Sequence, residues 1–395
     1  MAEIKSVPAI RFNGFDNKWE ECKLLDNIEK IIDFRGRTPK KLGLDWSEEG
    51  YLSLSALNVK NGYIDKNLDA HYGNQKLYDK WMSGNELHKN QVLFTTEAPM
   101  GNVAQIPDNQ KYILSQRTIA FEIKTNLITE NFLAVVLGSP GIFYKLSSLS
   151  SGGTAKGVSQ KSLANLNLKI SKDITEQTKI GSYFQNLDKL IALHQAKYDK
   201  LTNLKKAMLE KMFPKKGADV PEIRFREFEG AWKEKELNEI CTYHTSSLSV
   251  GDAIADGKYE LYDANSAIGY TNTNIQNCDY ITIIKDGSGV GRVRMLPKNT
   301  SFIGTMGAFH PKDSNIFFLL CVLSKTDFSK HVTGATIPHV YFSSYGREKY
   351  RIPCLQEQQK IGLYFQNLDK LITLYQSKLD KLSNLKKACL EKMFV

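Results

Sequence analysis

The sequence predicts a mixed α/β (α+β) protein in which two globular domains and two long helices form a pseudo-twofold internal repeat. Two observations lead to this prediction. A 38-residue segment at 176–213 returns without gaps at 357–394, and 30 of the 38 positions are identical. The regions that precede the two copies contain many short β-type runs separated by Gly, Pro, Asn and Asp, a pattern typical of strands joined by turns.

Both copies of the repeat have the periodicity of a long amphipathic helix. Apolar residues recur every seven positions, with others three and four residues later, and no Gly or Pro interrupts either copy after its first turn. Pro214 ends the first copy. Such stripes can bury each other in an antiparallel pair. The predicted helix–helix interface consists of Ile180, Phe184, Leu187, Leu190, Ile191, Leu201, Leu204, Met208, Ile361, Phe365, Leu368, Leu371, Ile372, Leu382 and Leu385.

A weaker repeat precedes each globular region. Residues 8–24 align with residues 221–237 through shared Ile, Arg, Phe, Trp and Leu positions, so the whole chain is a tandem duplication. The first intervening region is 32 residues longer than the second. Either equivalent partner surfaces or a recent duplication would explain the near-identical helices. The predicted boundaries are a first domain at 1–175, a first helix at 176–213, a linker and second domain at 214–356, and a second helix at 357–395.

The composition is that of a folded, soluble protein. The 395 residues leave room for two domains, since domains usually have about 50–250 residues. The net charge of +10 favours a polyanionic partner, although a basic surface without such a partner is the plain alternative. No signal-peptide pattern and no run of about 18 apolar residues predicts export or membrane insertion. The six cysteines lack CxxC spacing, so we expect a cytoplasmic protein without a metal site or disulfide framework.

A basic loop in the first region is a candidate phosphate-binding segment. It follows the apolar run at 31–34 and contains a Gly and a Pro among its cations. Cations on a loop beside a strand suit contact with DNA phosphates, and a solvated surface loop is the alternative. The candidate DNA-binding residues of this loop are Arg35, Arg37, Thr38, Lys40 and Lys41.

Two further segments of the first region carry candidate DNA contacts. Ser115, Gln116 and Arg117 interrupt a β-type run, and Arg and Gln can make bidentate contacts with guanine and adenine edges. A structural hydrogen-bond network is the alternative for this polar patch. The Ser/Gly-rich turn at 147–153 leads to small residues that let backbone amides approach a phosphate. The remaining candidates of this region are Thr95, Thr154 and Lys156.

The second region has a glycine-rich run at 285–292. It resembles a nucleotide-binding loop, but the residues that follow predict a strand ended by proline instead of a helix. We therefore predict a hairpin turn whose glycines permit close approach to the DNA backbone. The loop at 333–339 precedes the second helix, and its His339 either contacts DNA or makes a local structural bond. The candidates of this region are Asn265, Lys285, Ser288, Arg292, Thr333, Thr336 and His339.

Three motifs carry a family resemblance. They are the Glu-Gln-x-Lys-Ile-Gly-x-Tyr-Phe-Gln-Asn-Leu-Asp-Lys-Leu-Ile start of each helix, the Thr-Thr-Glu-Ala-Pro-Met-Gly-Asn run at 95–102 and the Thr-Gly-Ala-Thr-Ile-Pro-His run at 333–339. With this repeat layout the whole chain resembles the specificity (S) subunit of a Type I restriction-modification system. The resemblance implies two target recognition domains that each read half of a bipartite DNA sequence, separated by an antiparallel pair of long conserved helices. Base-contacting residues vary within that family, so they cannot be transferred from relatives.

The resemblance also implies partners. We expect the chain to bind double-stranded DNA together with two methyltransferase (M) subunits and two restriction/motor (R) subunits. S-adenosylmethionine, ATP and Mg would belong to those subunits, so we expect no cofactor and no catalytic residue here. The sequence lacks an Asn-Pro-Pro-aromatic run for amino methylation and a P-loop, in agreement with this expectation. The alternatives are a self-contained DNA methyltransferase or nuclease with DNA-reading modules, and a coiled-coil scaffold that binds only proteins.

Overall fold

The computed structural model describes residues 7–68, 71–150, 157–273 and 275–394, which divide into two units. Unit 1 comprises Met1–His194 with Lys378–Val395, and unit 2 comprises Gln195–Ser377. Each unit therefore holds one globular region, the start of the helix that follows it and the end of the other helix.

The first part of the chain contains eleven strands and five α-helices among its described residues. They are β1 (Glu20–Lys23), β2 (Ile28–Asp33), β3 (Tyr51–Leu54), β4 (Val59–Lys60), β5 (Tyr63–Ile64), β6 (Tyr72–Gly73), α1 (Gln75–Met82), β7 (Val92–Thr95), β8 (Val103–Gln105), β9 (Ile113–Leu114), β10 (Thr118–Ile123), α2 (Glu130–Leu137), α3 (Pro140–Leu149), α4 (Gln160–Ala164), β11 (Asn167–Ile170) and α5 (Ile174–Lys211). Short 3-10 helices cover Leu24–Asn27 and Lys40–Leu42.

The central sheet of unit 1 has the strand order β2-β10-β7-β8, with all neighbours antiparallel. Successive strand residues point to opposite faces, so Val92 and Phe94 join the core that contains α2 and the start of α5, whereas Leu93 joins the core around α1. Smaller sheets pair β6-β3-β9, β4-β5 and β1-β11. The apolar run predicted to be helical at 129–146 forms two helices, α2 and α3, because Pro140 begins a new helix.

The rest of the chain repeats this plan with fewer elements. They are β12 (Lys233–Glu236), α6 (Leu237–Ile240), β13 (Cys241–Thr245), β14 (Tyr259–Tyr262), β15 (Ala267–Thr271), β16 (Tyr280–Ile284), β17 (Val293–Leu296), β18 (Thr300–Phe302), β19 (Met306–Pro311), α7 (Ile316–Lys325), α8 (Phe342–Tyr345), β20 (Lys349–Ile352) and α9 (Leu355–Lys392). Short 3-10 helices cover Val250–Asp252 and Phe328–His331.

The central sheet of unit 2 has the order β13-β19-β16-β17, again antiparallel throughout. One face, including Ile281 and Ile283, packs on α7 and the helix ends, and the other face carries Tyr280 and Ala308 into a smaller core. Two smaller sheets pair β15-β14-β18 and β12-β20. The fold class predicted from the repeat is therefore confirmed, with a four-stranded antiparallel sheet at the centre of each unit.

Both long helices have 38 residues and begin two positions before the predicted starts. Their antiparallel pairing is visible inside each unit. In unit 1, Lys386 Nζ of α9 donates to Asp188 Oδ1 of α5 at 2.5 Å. In unit 2, Lys205 of α5 pairs with Asp369 of α9. These are the same two positions of the repeat with the roles of the helices exchanged.

The apolar stripe does not bury all the residues predicted for a helix–helix interface. Leu190, Leu371 and Leu385 are 44%, 42% and 44% exposed, so the structure buries these three predicted interface residues only in part. Ile180 and Phe184 are buried but pack into the core of unit 1's globular region. Helical periodicity reports that a face is apolar but does not identify what covers it, and here the globular cores cover the first turns.

The lead segments are tied to the helix starts by a buried ion pair in each unit. Arg11 donates two hydrogen bonds to Glu176, with Nε–Oε1 at 2.5 Å and Nη2–Oε2 at 2.8 Å. Arg224 and Glu357, at the equivalent positions, repeat the bidentate geometry at 2.8 Å for both bonds. The two carboxylates are 0% and 1% exposed. Both repeats therefore contain this Arg and this Glu because each buried carboxylate needs the guanidinium as its partner.

The next residues of the helix motif have equivalent partners as well. Gln177 Oε1 accepts from the backbone N–H of Thr129 at 2.9 Å, just before α2. Gln358 Oε1 accepts from the N–H of Asn315 at 3.0 Å, just before α7. Each identical side chain therefore meets the same kind of surface, which supports equivalent partner surfaces as the explanation of the near-identical helices.

No single helix among the described residues is long and apolar enough to cross a membrane. In the part of the chain that the structure describes, one bent pair, Glu130–Leu137 and Pro140–Leu149 at 66°, passes that criterion by length and composition when the two helices are combined.

Candidate nucleic-acid interface

The predicted DNA-contacting segments of the first region meet at one end of the central sheet of unit 1. Strands β2 and β7 end there, and the antiparallel β10 and β8 begin there. The loops at 34–41, 96–102 and 115–117 are therefore neighbours. We call this set of loops the loop end of unit 1. Gly157 joins it through a bridge to Glu97.

The basic loop of this end is partly neutralised and partly folded inward. Arg35 Nε donates to Asp33 Oδ2 at 2.8 Å, and Lys41 Nζ donates to the carbonyl of Gly36 at 2.7 Å. Arg37 donates to the buried Trp81 carbonyl and lies 4.4 Å above the ring of Phe34. Arg37 is thus a structural anchor of the loop, and its role as a phosphate contact stays a prediction.

Lys40 and Thr38 are the residues of the basic loop with the freest functional groups. Lys40 is exposed, and among the described residues its ammonium has no hydrogen-bond or ion-pair partner. Thr38 is half-buried, and its hydroxyl oxygen accepts one long hydrogen bond, 3.3 Å, from the backbone N–H of Lys41. A free ammonium beside a hydroxyl is the arrangement that a phosphate would accept.

The polar patch bridges two loops of the same end. Gln116 Nε2 donates to the carbonyl of Arg37 at 2.5 Å, and its Oε1 accepts no bond from the described residues. Arg117 Nε lies 3.2 Å from Glu97 Oε1, and both side chains are about half exposed. Gln116 Nε2 and Arg117 Nε therefore belong to a structural hydrogen-bond network, which was the alternative role predicted for this patch. Gln116 Oε1 and the half-exposed Arg117 guanidinium remain available to a partner.

Thr95 does not belong to this surface. It is 0% exposed, donates to the Pro99 carbonyl at 2.7 Å and accepts from the Asn102 amide at 2.9 Å. Its hydroxyl closes the turn after β7, so its prediction as a DNA contact is wrong. Thr154 and Lys156 lie outside the described residues.

A cavity of about 350 Å³ adjoins the loop end of unit 1. Sequence reasoning missed it because Trp46, His71 and Trp81, which line it, are far apart in the chain and carry no motif. Trp46 is stacked on His71 with ring centroids 5.8 Å apart at 23°. Lys40, Ser115 and Gln116 line the same cavity, so it opens among residues that the sequence did single out.

The equivalent end of the unit 2 sheet gathers the second set of predicted residues. Strands β13 and β16 end there, while β19 and β17 begin there. This loop end of unit 2 contains the loop after β13, the turn at 285–292 and the loop at 333–339. The turn is the predicted hairpin, joining β16 to β17, and three of its glycines have φ between 82° and 89°.

His339 makes the local structural bond that was one of its two predicted roles. Its Nδ1 lies 2.8 Å from Asp286 Oδ1, and Lys285 Nζ binds the other carboxylate oxygen at 2.8 Å. Burial raises the pKa of Asp286, but these hydrogen bonds outweigh it and hold the pKa below its usual value. Reciprocal backbone bonds between Thr333 and His339, at 2.8 and 2.7 Å, close the loop. Thr336, at its tip, is exposed.

The two acidic residues at these ends occupy equivalent positions that sequence reasoning missed. Glu97 follows β7 and bridges to Gly157, as Asp286 follows β16 and bridges to His339. Each carboxylate pairs with a nearby cation, Arg117 or Lys285. Their common position after a buried strand was a signal in the sequence, but the two halves are too different there to align.

Arginines of unit 2 organise a second loop at the same end. Arg292 Nη2 donates to Asn265 Oδ1 at 3.0 Å and to the carbonyl of Ala264. Arg294, which sequence reasoning missed, donates to Asn265 O at 2.8 Å and lies 5.4 Å from the ring centroid of Tyr262. Ser288 is exposed at the turn. Asn265 and Arg292 are thus in direct contact, and Ser288 lies on the turn that precedes Arg292.

Two further features lie outside the loop ends. A cavity of about 800 Å³ in unit 1 adjoins α2, α5 and Lys386, and none of the predicted DNA contacts lines it. Within the described ranges no group of three or more His, Cys, Asp or Glu residues is placed to hold a metal ion, and the six cysteines are free thiols.

Comparisons with known proteins agree with this architecture. The family model described as "Type I restriction modification DNA specificity domain" matches residues 16–203 and again residues 229–384. The chain is similar to the S subunit of a Type I restriction-modification system from M. genitalium, with a TM-score of 0.69, 18% identity, and 98% of this chain and 99% of that chain covered. At that identity the likeness shows the fold.

Two other structural matches are more distant. An HsdS subunit from Thermoanaerobacter tengcongensis gives a TM-score of 0.39 at 16% identity, with 95% of this chain and 96% of that chain covered. A structure concerning complex assembly of a Type I restriction-modification system gives 0.46 at 16% identity, with 95% and 97% covered. No curated protein sequence matches the chain.

Proposed function

Because the chain belongs to the Type I restriction-modification DNA specificity family and thereby supplies DNA sequence specificity, we propose that each of its units reads one half of a bipartite double-stranded target. The observation that carries this proposal is the double occurrence of one architecture. Each unit has its own antiparallel sheet, and each sheet ends in its own cluster of polar and basic loops.

The chemistry of the two loop ends supports DNA contact. Positive charge for phosphates comes from Lys40 and Lys41 in unit 1 and from Arg292 in unit 2. Neutralisation of DNA phosphates by such cations supplies much of the affinity of DNA-binding proteins. Gln116 and Asn265 carry amides, whose donor and acceptor pair can bind the N6 and N7 edge of adenine. The two ends carry different side chains at equivalent positions, as different half-sites require.

The proposal extends to partners. In it the chain joins two M subunits and two R subunits, which supply S-adenosylmethionine, ATP and Mg chemistry, while the chain itself is non-catalytic and acts in the cytoplasm. The family membership supports this assignment. Incubation of the purified chain with S-adenosylmethionine or with ATP and Mg should then leave DNA unmodified, and methylation by the chain alone would overturn the non-catalytic role.

Methylome sequencing of cells that express the chain with its M subunits tests the recognition model. We expect one interrupted, asymmetric methylated sequence. Gln116→Leu should change or relax only one half-site, and Asn265→Leu should change or relax only the other. Exposed Tyr144 in unit 1 serves as a control, because Tyr144→Leu leaves both loop ends intact and should leave both half-sites unchanged. A continuous target, or one substitution that alters both half-sites, would contradict the model.

A further inference from the structure

The cavity beside the loop end of unit 1 has flat aromatic walls. Trp46 is half-buried, stacks on His71 and lies 5.8 Å from Trp81 at 42°. Trp81 is 1% exposed, and its indole N–H donates to the Leu114 carbonyl at 2.9 Å, so this wall is fixed in orientation. Aromatic side chains held in this way are the usual platforms on which nucleobases stack.

Polar groups without partners converge on the same space. Ser53 lines the cavity, and among the described residues no hydrogen bond of its hydroxyl is recorded. Gln116 also lines the cavity, with Nε2 held by Arg37 and Oε1 unused. The Ser115 hydroxyl likewise has no partner in the described part of the chain. Two hydroxyls and an amide oxygen at the cavity wall can therefore bind the polar edge of a ligand.

The charges at the cavity complete the pattern. Asp45 supplies a carboxylate that can accept from an exocyclic amine, and Lys40 supplies an unpaired ammonium for a phosphate. The volume of about 350 Å³ lies at the small end of the range of about 300–1,000 Å³ for ligand sites, which suits one nucleotide and excludes large cofactors.

We propose that this cavity binds a single nucleobase, stacked on Trp46 and hydrogen-bonded by Ser53, Ser115 and Gln116, with its phosphate beside Lys40. The base belongs either to an unstacked nucleotide of the bound DNA or to a free mononucleotide. The DNA source rests on the proposed function, whereas the free source does not. Unstacking a base of a duplex costs energy, which an aromatic site of this kind offsets.

The test uses the full chain assembled with its M subunits, in wild-type form and as the variants Trp46→Leu, Trp46→Phe, Gln116→Leu and Tyr144→Leu. Equilibrium dialysis measures binding of AMP, GMP, CMP and TMP. Ultraviolet cross-linking to a duplex that contains the mapped methylation site, followed by peptide mass spectrometry, locates any DNA base in the cavity. Thermal unfolding of each variant identifies any that fails to fold, and Gln116→Leu keeps the test valid if Trp46→Leu does not fold.

Saturable binding of one mononucleotide, weakened about ten- to hundredfold by Trp46→Leu and largely restored in Trp46→Phe, would establish the free source. A cross-link from DNA to the peptide of Trp46 or Gln116, lost in Trp46→Leu and kept in Tyr144→Leu, would establish the DNA source. Normal DNA retardation without mononucleotide binding at millimolar concentration and without a cavity cross-link would overturn the inference. Absence of any DNA retardation by the wild-type complex would instead contradict the proposed function.

Discussion

The supporting frames of the two units share their main contacts, whereas their loop ends do not. Arg11 and Glu176 in unit 1 have the same geometry as Arg224 and Glu357 in unit 2. At the loop ends, by contrast, the shared feature is one carboxylate in each unit, and the surrounding residues differ in type and number. The residues that fix each long helix to its globular region are therefore identical in the two units, whereas the residues at the loop ends, which face the proposed DNA partner, differ.

Removal of the buried carboxylate should have the largest effect on stability. Glu176→Ala leaves both Arg11 and the Trp19 indole N–H, which donates to Glu176 at 3.2 Å, without an acceptor. Loss of one member of such a buried pair costs about 3–5 kcal/mol of unfolding free energy. Glu357→Ala should cost less, because Arg224 also donates to Gly230 O at 2.6 Å. Urea unfolding measures both, with Glu222→Ala, in an exposed ion pair, as the control.

The Arg11–Glu176 ion pair should make the unfolding free energy depend on pH. Burial raises the pKa of Glu176, but hydrogen bonds from Arg11, Ser171 and Trp19 outweigh it, so the pKa lies below its ordinary value of 4.5. The stabilisation is therefore present at neutral pH and is lost as the pH falls below about 4.5 through the lowered pKa. The difference in stability between wild type and Glu176→Ala should shrink over that range, and a constant difference would contradict the assignment.

The Phe that lies two positions after each long helix provides the next comparison. Phe213 is 6% exposed and stacks on Phe318 at 5.5 Å in unit 2, whereas Phe394 is half-buried beside Trp19 at 5.8 Å in unit 1. Phe213→Ala should cost about 3–5 kcal/mol, the usual range for a buried Phe. Phe394→Ala should cost less because part of its ring stays in water. Equal losses in thermal unfolding would show that exposure does not set the difference.

Replacement of Gly181 or Gly362 by Ala should destabilise the protein, although the same change stabilises most helices. Alanine normally stabilises a helix relative to glycine by about 1 kcal/mol. A Cβ at Gly181, however, would lie 2.6 Å from Asn131 Cβ, and one at Gly362 would clash with Asn315 Oδ1 and lie 3.0 Å from Phe317 Cβ. We expect Gly181→Ala and Gly362→Ala each to destabilise by about 1–3 kcal/mol. Stabilisation by either substitution would show that the start of the helix is not in close contact with the sheet domain.

The smallest expected effect concerns the loop end. Lys40→Ala should reduce the salt dependence of DNA binding by about 0.9 in the log–log slope, which corresponds to one phosphate contact. Lys381→Ala, an exposed lysine of helix α9, should leave the slope unchanged. Arg37→Ala should instead lower stability, because Arg37 is bound to the Trp81 carbonyl. An unchanged slope in Lys40→Ala would remove Lys40 from the interface.

The sequence predicted the parts of the molecule that repeat. Periodicity located the starts of both helices to within two residues, and the glycine run correctly indicated a hairpin between β16 and β17. It could not show that Leu190 and Leu371 stay exposed, because an apolar position does not name its partner. The sequence also could not distinguish the roles of Lys40 and Arg37, since both are cations in one loop. Only the structure shows that Arg37 binds the Trp81 carbonyl, whereas the Lys40 ammonium has no partner among the described residues. The cavity depends on contacts between Trp46, His71 and Trp81 that only the fold creates.

Exchange of one unit's insert tests most directly whether one frame carries two separate specificities. In this variant residues 25–173 are replaced by residues 238–354, so both leads and both helices remain. We expect a folded chain that, with its M subunits, methylates a palindrome built from the second half-site. A folded chain that still methylates the original asymmetric sequence would contradict the account, as would a variant that unfolds although the wild-type chain prepared in the same way is folded.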